Sequence, residues 1–187
     1  LGRPFDGVDQ QVDAPQDRSQ VSAVWTGDEM IVWGGRATDL SRLNSGARYD
    51  PSLDLWTPMS QTGAPTERSF AAAVWTGTEV IVWGGEDHLG ELNTGGRYDP
   101  IGDSWAGTTG VGAPAERAGH TAIWTGHEMI VWGGWHDFST YLDSGGRYDP
   151  ATDSWIATST GAETPSARNA WRAPTTSKAC WTPAGWR

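Results

Sequence analysis

The segment Ile-Val-Trp-Gly-Gly that starts at Ile31 returns at Ile81 and again at Ile130. Each copy follows Trp-Thr-Gly, one variable residue and Glu, and each precedes Arg-Tyr-Asp-Pro. Trp25, Trp75 and Trp124 stand 50 and 49 residues apart, and Tyr49, Tyr98 and Tyr148 stand 49 and 50 apart. The one-residue slip falls after the double glycine, where a loop is expected. A fixed period of this length constrains the chain more than any other feature. Each copy must form the same supersecondary unit, and neighbouring units must bury one another's apolar faces.

Within a unit the local pattern reads as four short strands. Ser-Ala-Val-Trp, Ala-Ala-Val-Trp and Thr-Ala-Ile-Trp are brief, β-rich and aromatic-ended. Thr-Gly then predicts a tight turn, with Gly27, Gly77 and Gly126 free to take positive φ. Met30–Trp33 and its copies are continuous apolar runs, as expected of strands covered on both faces. A variable polar loop follows, then a third strand ending at Asp-Pro and a fourth carrying Trp56, Trp105 or Trp155. Asp50, Asp99 and Asp149 are expected to cap the Asp-Pro turn through their side chains. Four antiparallel strands repeated at this period predict an all-β chain of propeller blades. Three such units make an incomplete arc.

These residues resemble the kelch repeat. The apolar run before Gly34–Gly35, Gly84–Gly85 and Gly133–Gly134 is similar to its double-glycine signature, and the Tyr with a Trp seven residues later to its aromatic pair. The wording of the repeat is similar to kelch-type propellers of bacterial, exported proteins. The resemblance implies a kelch-type β-propeller with the first strand of each unit innermost. It also implies ligand binding near the axis, on the face built by the loop entering the first strand and the loop after the double glycine. An extracellular or periplasmic location is expected on the same basis.

The units are expected at residues 18–66, 67–115 and 116–165. Residues 1–17 read as a remnant of a preceding blade or a linker. Residues 166–187 keep the start of a fourth repeat and then lose the pattern, in a tail holding the chain's only Lys and only Cys. A frame-slipped remnant of a fourth repeat accounts for it, as does a Pro/Thr-rich terminus without structure.

A formal charge of −10 without a basic stripe argues against nucleic acid and anionic membrane surfaces as partners. No apolar run approaches a membrane span. No nucleophile elbow or phosphate loop is present, and no carboxylate pair is singled out by spacing. Neither a cofactor nor a metal is expected.

The candidate ligand residues lie in two sets of loops. Arg18, Arg68 and Arg117, with Arg168 in the fourth copy, precede the first strands. As planar forks they would suit a carboxylate, sulfate or sugar. A residue repeated in every unit is equally expected to fix its own loop by bonding backbone carbonyls or a neighbouring acid. The loops after the glycines add Arg36, Glu86, His88, Trp135 and His136, residues whose variation the scaffold does not explain. His120 stands where the other units have Val21 and Ala71. His88 and His136 would bind a metal only if their loops met, and Trp135 with Tyr141 would stack on a sugar ring. Arg48, Arg97 and Arg147 are expected to pair with acids between blades.

The sequence therefore predicts a non-catalytic binding or scaffold module for a protein or carbohydrate ligand. The alternatives are a piece of a sugar-acting kelch enzyme, of the galactose-oxidase or sialic-acid-modifying kind, and a structural segment of a larger surface protein. Galactose-oxidase-type copper chemistry needs a Cys beside its Tyr, and the only thiol here, Cys180, lies in the aberrant tail. Self-association through exposed blade faces is also expected, because an arc leaves apolar side chains on its two outer faces.

Overall fold

The computed structural model describes residues 13–160 except 138. These residues form three four-stranded antiparallel sheets, each ordered first to fourth strand as the chain runs. Blade 1 holds Ser22–Trp25, Met30–Trp33, Gly46–Asp50 and Leu55–Pro58. Blade 2 holds Ala72–Trp75, Val80–Trp83, Gly95–Asp99 and Ser104–Gly107. Blade 3 holds Thr121–Trp124, Met129–Trp132, Gly145–Asp149 and Ser154–Ala157. The first strands of successive blades are the strands that touch, which places them innermost.

Local chemistry explains the first hairpin. The Thr26 hydroxyl accepts the amides of Asp28 at 3.3 Å and Glu29 at 2.9 Å, while Gly27 takes φ +114°. Thr76 and Thr125 repeat the device. At the third-to-fourth strand turn, the Asp50 carboxylate accepts the Ser52 amide at 2.7 Å. Asp99 and Asp149 do the same for Ile101 and Ala151.

Strand alternation sends odd and even residues into different interfaces. Ile31 and Trp33 of blade 1 meet Val80, Val82 and Tyr98 of blade 2. Ile81 and Trp83, on the other face of blade 2, meet Met129, Val131 and Tyr148 of blade 3. The second strand of blade 2 is thus apolar throughout because both of its faces are interior.

Arg48 and its copies differ from expectation. Their acids, Glu29, Glu79 and Glu128, lie in the same blade at 3.6, 3.7 and 3.4 Å. The antiparallel register sets Arg48 opposite Ile31, within reach of Glu29, which lies just before that strand. Across the junction the guanidinium meets a backbone carbonyl instead: Arg48 donates to Pro100 at 2.8 Å, and Arg97 donates to Pro150.

Candidate functional site

One end of the arc is built from the loops before the first strands and after the double glycines. The two loops of a blade pair with each other. Arg18–Ser19 lies antiparallel to Arg36–Ala37, and single bridges join Ser69 to Glu86 and Ala118 to Trp135. The post-glycine loops of blades 1 and 2 are also clasped by the next blade. Gly35 donates its amide to Arg68 O at 2.8 Å, and Leu43 O accepts the Arg68 amide at 3.1 Å. Gly85, Arg117 and Leu92 repeat this at the second junction.

The repeated arginines are turned inward. Arg68 Nη1 donates to Gly84 O at 3.0 Å and Thr94 O at 2.7 Å, and its Nε donates to Thr66 O. Arg117 makes the same set to Gly133, Ser144 and Ala115. Both are 1% exposed, and burial lowers both to a pKa of about 10, so they stay charged at neutral pH. Arg18, half-buried, reaches Gly34 O and Ser45 O. In these two buried arginines the ligand-facing fork is replaced by a clamp that ties the start of the post-glycine loop to its end. Arg168 lies outside the described residues.

The non-repeated candidates fall on the loops themselves and link them. Arg42 donates to Glu86 Oε1 at 2.6 Å, an ion pair between the loops of blades 1 and 2, and Glu86 is buried. Arg36, half-buried, bonds Leu40 O within its own loop. Trp135 of blade 3 is half-buried and edge-on to Phe70 of blade 2, with centroids 5.1 Å apart. His88 is exposed, 4.0 Å from Glu67, and does not join His136. His136 instead lies between Glu91 at 3.9 Å and Asp137 at 3.2 Å. Glu91, His136 and Asp137 each bring one ligand-capable atom within 4.8 Å of the others. One imidazole and two carboxylates suit a borderline divalent ion such as zinc.

His120 is enclosed, with both ring nitrogens buried and without hydrogen-bond partners. Its ring stands edge-on to Trp83 at 5.3 Å, over Gly84, where a Cβ would strike it. Burial, reinforced by the Arg117 charge, lowers its pKa to about 3. It is a neutral core residue rather than a ligand-facing one.

Two features escape sequence reasoning. At the opposite end, a cleft of about 420 Å³ opens between blades 2 and 3, lined by Glu79, Trp124, His127 and Asp149 among others. Asp54, Asp103 and Asp153 each accept a bond from the tyrosine five residues earlier, at 2.6–2.7 Å. Asp103 and Asp153 also accept the amides of Ser60 and Thr109 from the preceding blade. The signal for this clasp, an Asp at a fixed distance after each Tyr, is plain in the repeat.

An arc of twisted four-stranded antiparallel blades joined through their inner strands defines a β-propeller-type repeat protein. A family model described as the KLHDC2/KLHL20/DRC7 Kelch-repeats domain matches residues 5–181, and the chain belongs to the kelch-repeat family. Kelch domains are in general protein-binding β-propeller modules. No curated protein matches the chain. Among the described residues, no helix is long and apolar enough to cross a membrane.

Proposed function

We propose that the chain is a non-catalytic recognition module that binds a protein ligand through the tips of its post-glycine loops. The observation that carries this reading is a contrast within each loop. The loop base is repeated and fully bonded, whereas the tip is unrepeated and presents an apolar side chain to water. Leu40, Leu89 and Tyr141 are exposed there, near Asp39, Asp87 and Asp137. The arginine clamps hold the loop ends, so little ordering entropy is lost on binding. Apolar groups rimmed by charge are what protein interfaces use. The acidic tips favour a partner that carries basic groups. Trp135, which suggested a sugar platform, is half-buried against Phe70, and that favours protein over glycan.

Selection of displayed peptides on the purified 187-residue chain tests the proposal. Selected peptides are expected to be basic with apolar anchors, and to lose at least tenfold in affinity against the triple variant L40D/L89D/Y141D. Peptides indifferent to that variant, or binding seen on a glycan array alone, would overturn it.

A further inference from the structure

In blades 1 and 2, the residue just before the repeated leucine of the post-glycine loop reaches toward the loop of the next blade. That residue is Arg42 before Leu43, and Glu91 before Leu92. At the first junction an opposite charge meets it, since Arg42 donates to Glu86 Oε1 at 2.6 Å. At the second junction the reaching group is itself a carboxylate. Glu91 Oε2 stands 3.9 Å from His136 Nδ1, and Asp137 Oδ2 stands 3.2 Å from His136 Nε2. One junction thus joins its loops through a cation and an acid, the other through acid, imidazole and acid.

Burial and bonding set this second cluster apart from solvated loop polarity. The Glu91 side chain is only 3% exposed, and a carboxylate taken out of water needs compensation for its charge. It accepts the Asp137 amide at 3.2 Å across the junction, the kind of outer bond that orients a metal-binding carboxylate. His136 Nδ1, the nitrogen on the Glu91 side, is buried and has no hydrogen-bond partner among the described residues. Leaving such an atom unpaired is costly, and an ion held between it and the carboxylates removes the cost. One ligand atom from each of the three residues lies within 4.8 Å of the others. Ligands of a tetrahedral zinc stand roughly 3.3 Å apart, so closure asks for a shift of roughly 1.5 Å at most. Asp137 can supply it, because its side chain is 75% exposed.

We propose that Glu91, His136 and Asp137 bind one zinc ion, which clips the post-glycine loop of blade 2 to that of blade 3. One nitrogen and two oxygens suit zinc, whereas calcium and magnesium take oxygen ligands in larger numbers. Three protein ligands leave one tetrahedral position to water. The ion offsets the carboxylate charge at this junction, as Arg42 does for Glu86 at the other. The site needs no peptide at the loop tips, so zinc alone tests it.

The experiment is calorimetric titration of the chelator-stripped 187-residue chain with zinc chloride, in a Cys180→Ser background that removes the one thiol. One zinc per chain is expected, with calcium and magnesium bound far more weakly. Glu91→Gln, His136→Gln and Asp137→Asn should each weaken zinc at least tenfold. His88→Gln, at an exposed imidazole outside the cluster, should leave it unchanged. Far-UV circular dichroism checks folding, and the exposed Asp137 carries the test if a change at buried Glu91 disturbs it. Exchange of the Asp137 amide, which Glu91 holds across the junction, should slow when zinc is added. Cobalt in place of zinc should show the visible absorption of a tetrahedral site, and His136→Gln should abolish it. Absence of a stoichiometric zinc site would overturn the proposal, as would zinc affinity that Glu91→Gln and Asp137→Asn both leave unchanged.

Discussion

Blades 2 and 3 share nearly the same words, yet their equivalent residues live in different surroundings. In blade 2 the second strand is buried from Val80 to Trp83, whereas Ile130 and Trp132 of blade 3 are only half-buried. Tyr98 is fully buried, while Tyr49 of blade 1 is not. The difference lies in the neighbours and not in the strands. Among the described residues the central blade has a neighbouring blade on both faces, and each outer blade has one. In an architecture of this kind a residue's energetic weight follows from its place along the arc, much as in a one-dimensional stack.

The sharpest way to break that comparison is at the large aromatics. Trp83→Ala, which empties a site closed by Trp155 at 5.0 Å and by His120, should cost about 3–5 kcal/mol. Trp25→Ala, at an exposed position of blade 1, should cost less than about 1 kcal/mol. Urea unfolding of both variants measures the gap, and equal costs would mean that the faces are not as different as their exposures indicate. Next in size are the clamps. Arg68→Ala leaves the buried carbonyl of Gly84 without its donor and Thr94 O with the Gly84 amide alone, and should cost about 2–4 kcal/mol. The half-buried Arg18 should cost roughly half as much on the same substitution, since water can reach part of its site.

His120 extends the comparison to pH. Its folded pKa of about 3 lies below the unfolded value, so the unfolded chain takes up a proton first as pH falls. Its share of stability is complete above about pH 6.5 and is lost toward pH 3, at up to about 1.4 kcal/mol per pH unit. By pH 5 the loss is about 2 kcal/mol. His120→Ala, the residue blade 2 uses at this position, should flatten that part of the stability–pH curve. An unchanged slope would show that the imidazole is not the group being protonated.

The strands, the first hairpin turns and the Asp-Pro caps were legible in the sequence, because each depends on residues a few positions apart and is written three times. Which face of a strand meets which blade also follows from alternation once the order of blades is known. The candidate site was legible only in outline. The spacing of Arg68 and Arg117 marks them as repeated, but direction is set by the carbonyls of a loop 16 to 27 residues away. Glu91 carries no mark of its own in the repeat, and its nearness to His136 arises because two loops of adjacent blades run side by side. His120 looked like a polar exception in a loop. Its burial depends on the Gly84 backbone of the neighbouring blade, which leaves room for a ring.

The smallest expected effect tests the comparison most finely, because it changes one oxygen. Tyr98 donates to Asp103 at 2.6 Å, and that carboxylate also takes the Ser60 amide across the junction. Burial first, and then the bond to Asp103, raises the Tyr98 pKa, while the Ser60 amide and the Tyr98 hydroxyl lower that of Asp103. Tyr98→Phe removes a bond that holds an inter-blade acceptor in place, and should cost about 1–2 kcal/mol. Tyr49 makes the same bond to Asp54 at 2.7 Å, but on the outer side of blade 1. Tyr49→Phe should therefore cost about 0.5 kcal/mol or less. Urea unfolding of the two variants side by side measures the difference, and equal costs would show that the Asp103 contact across the junction adds nothing to the Tyr98 bond.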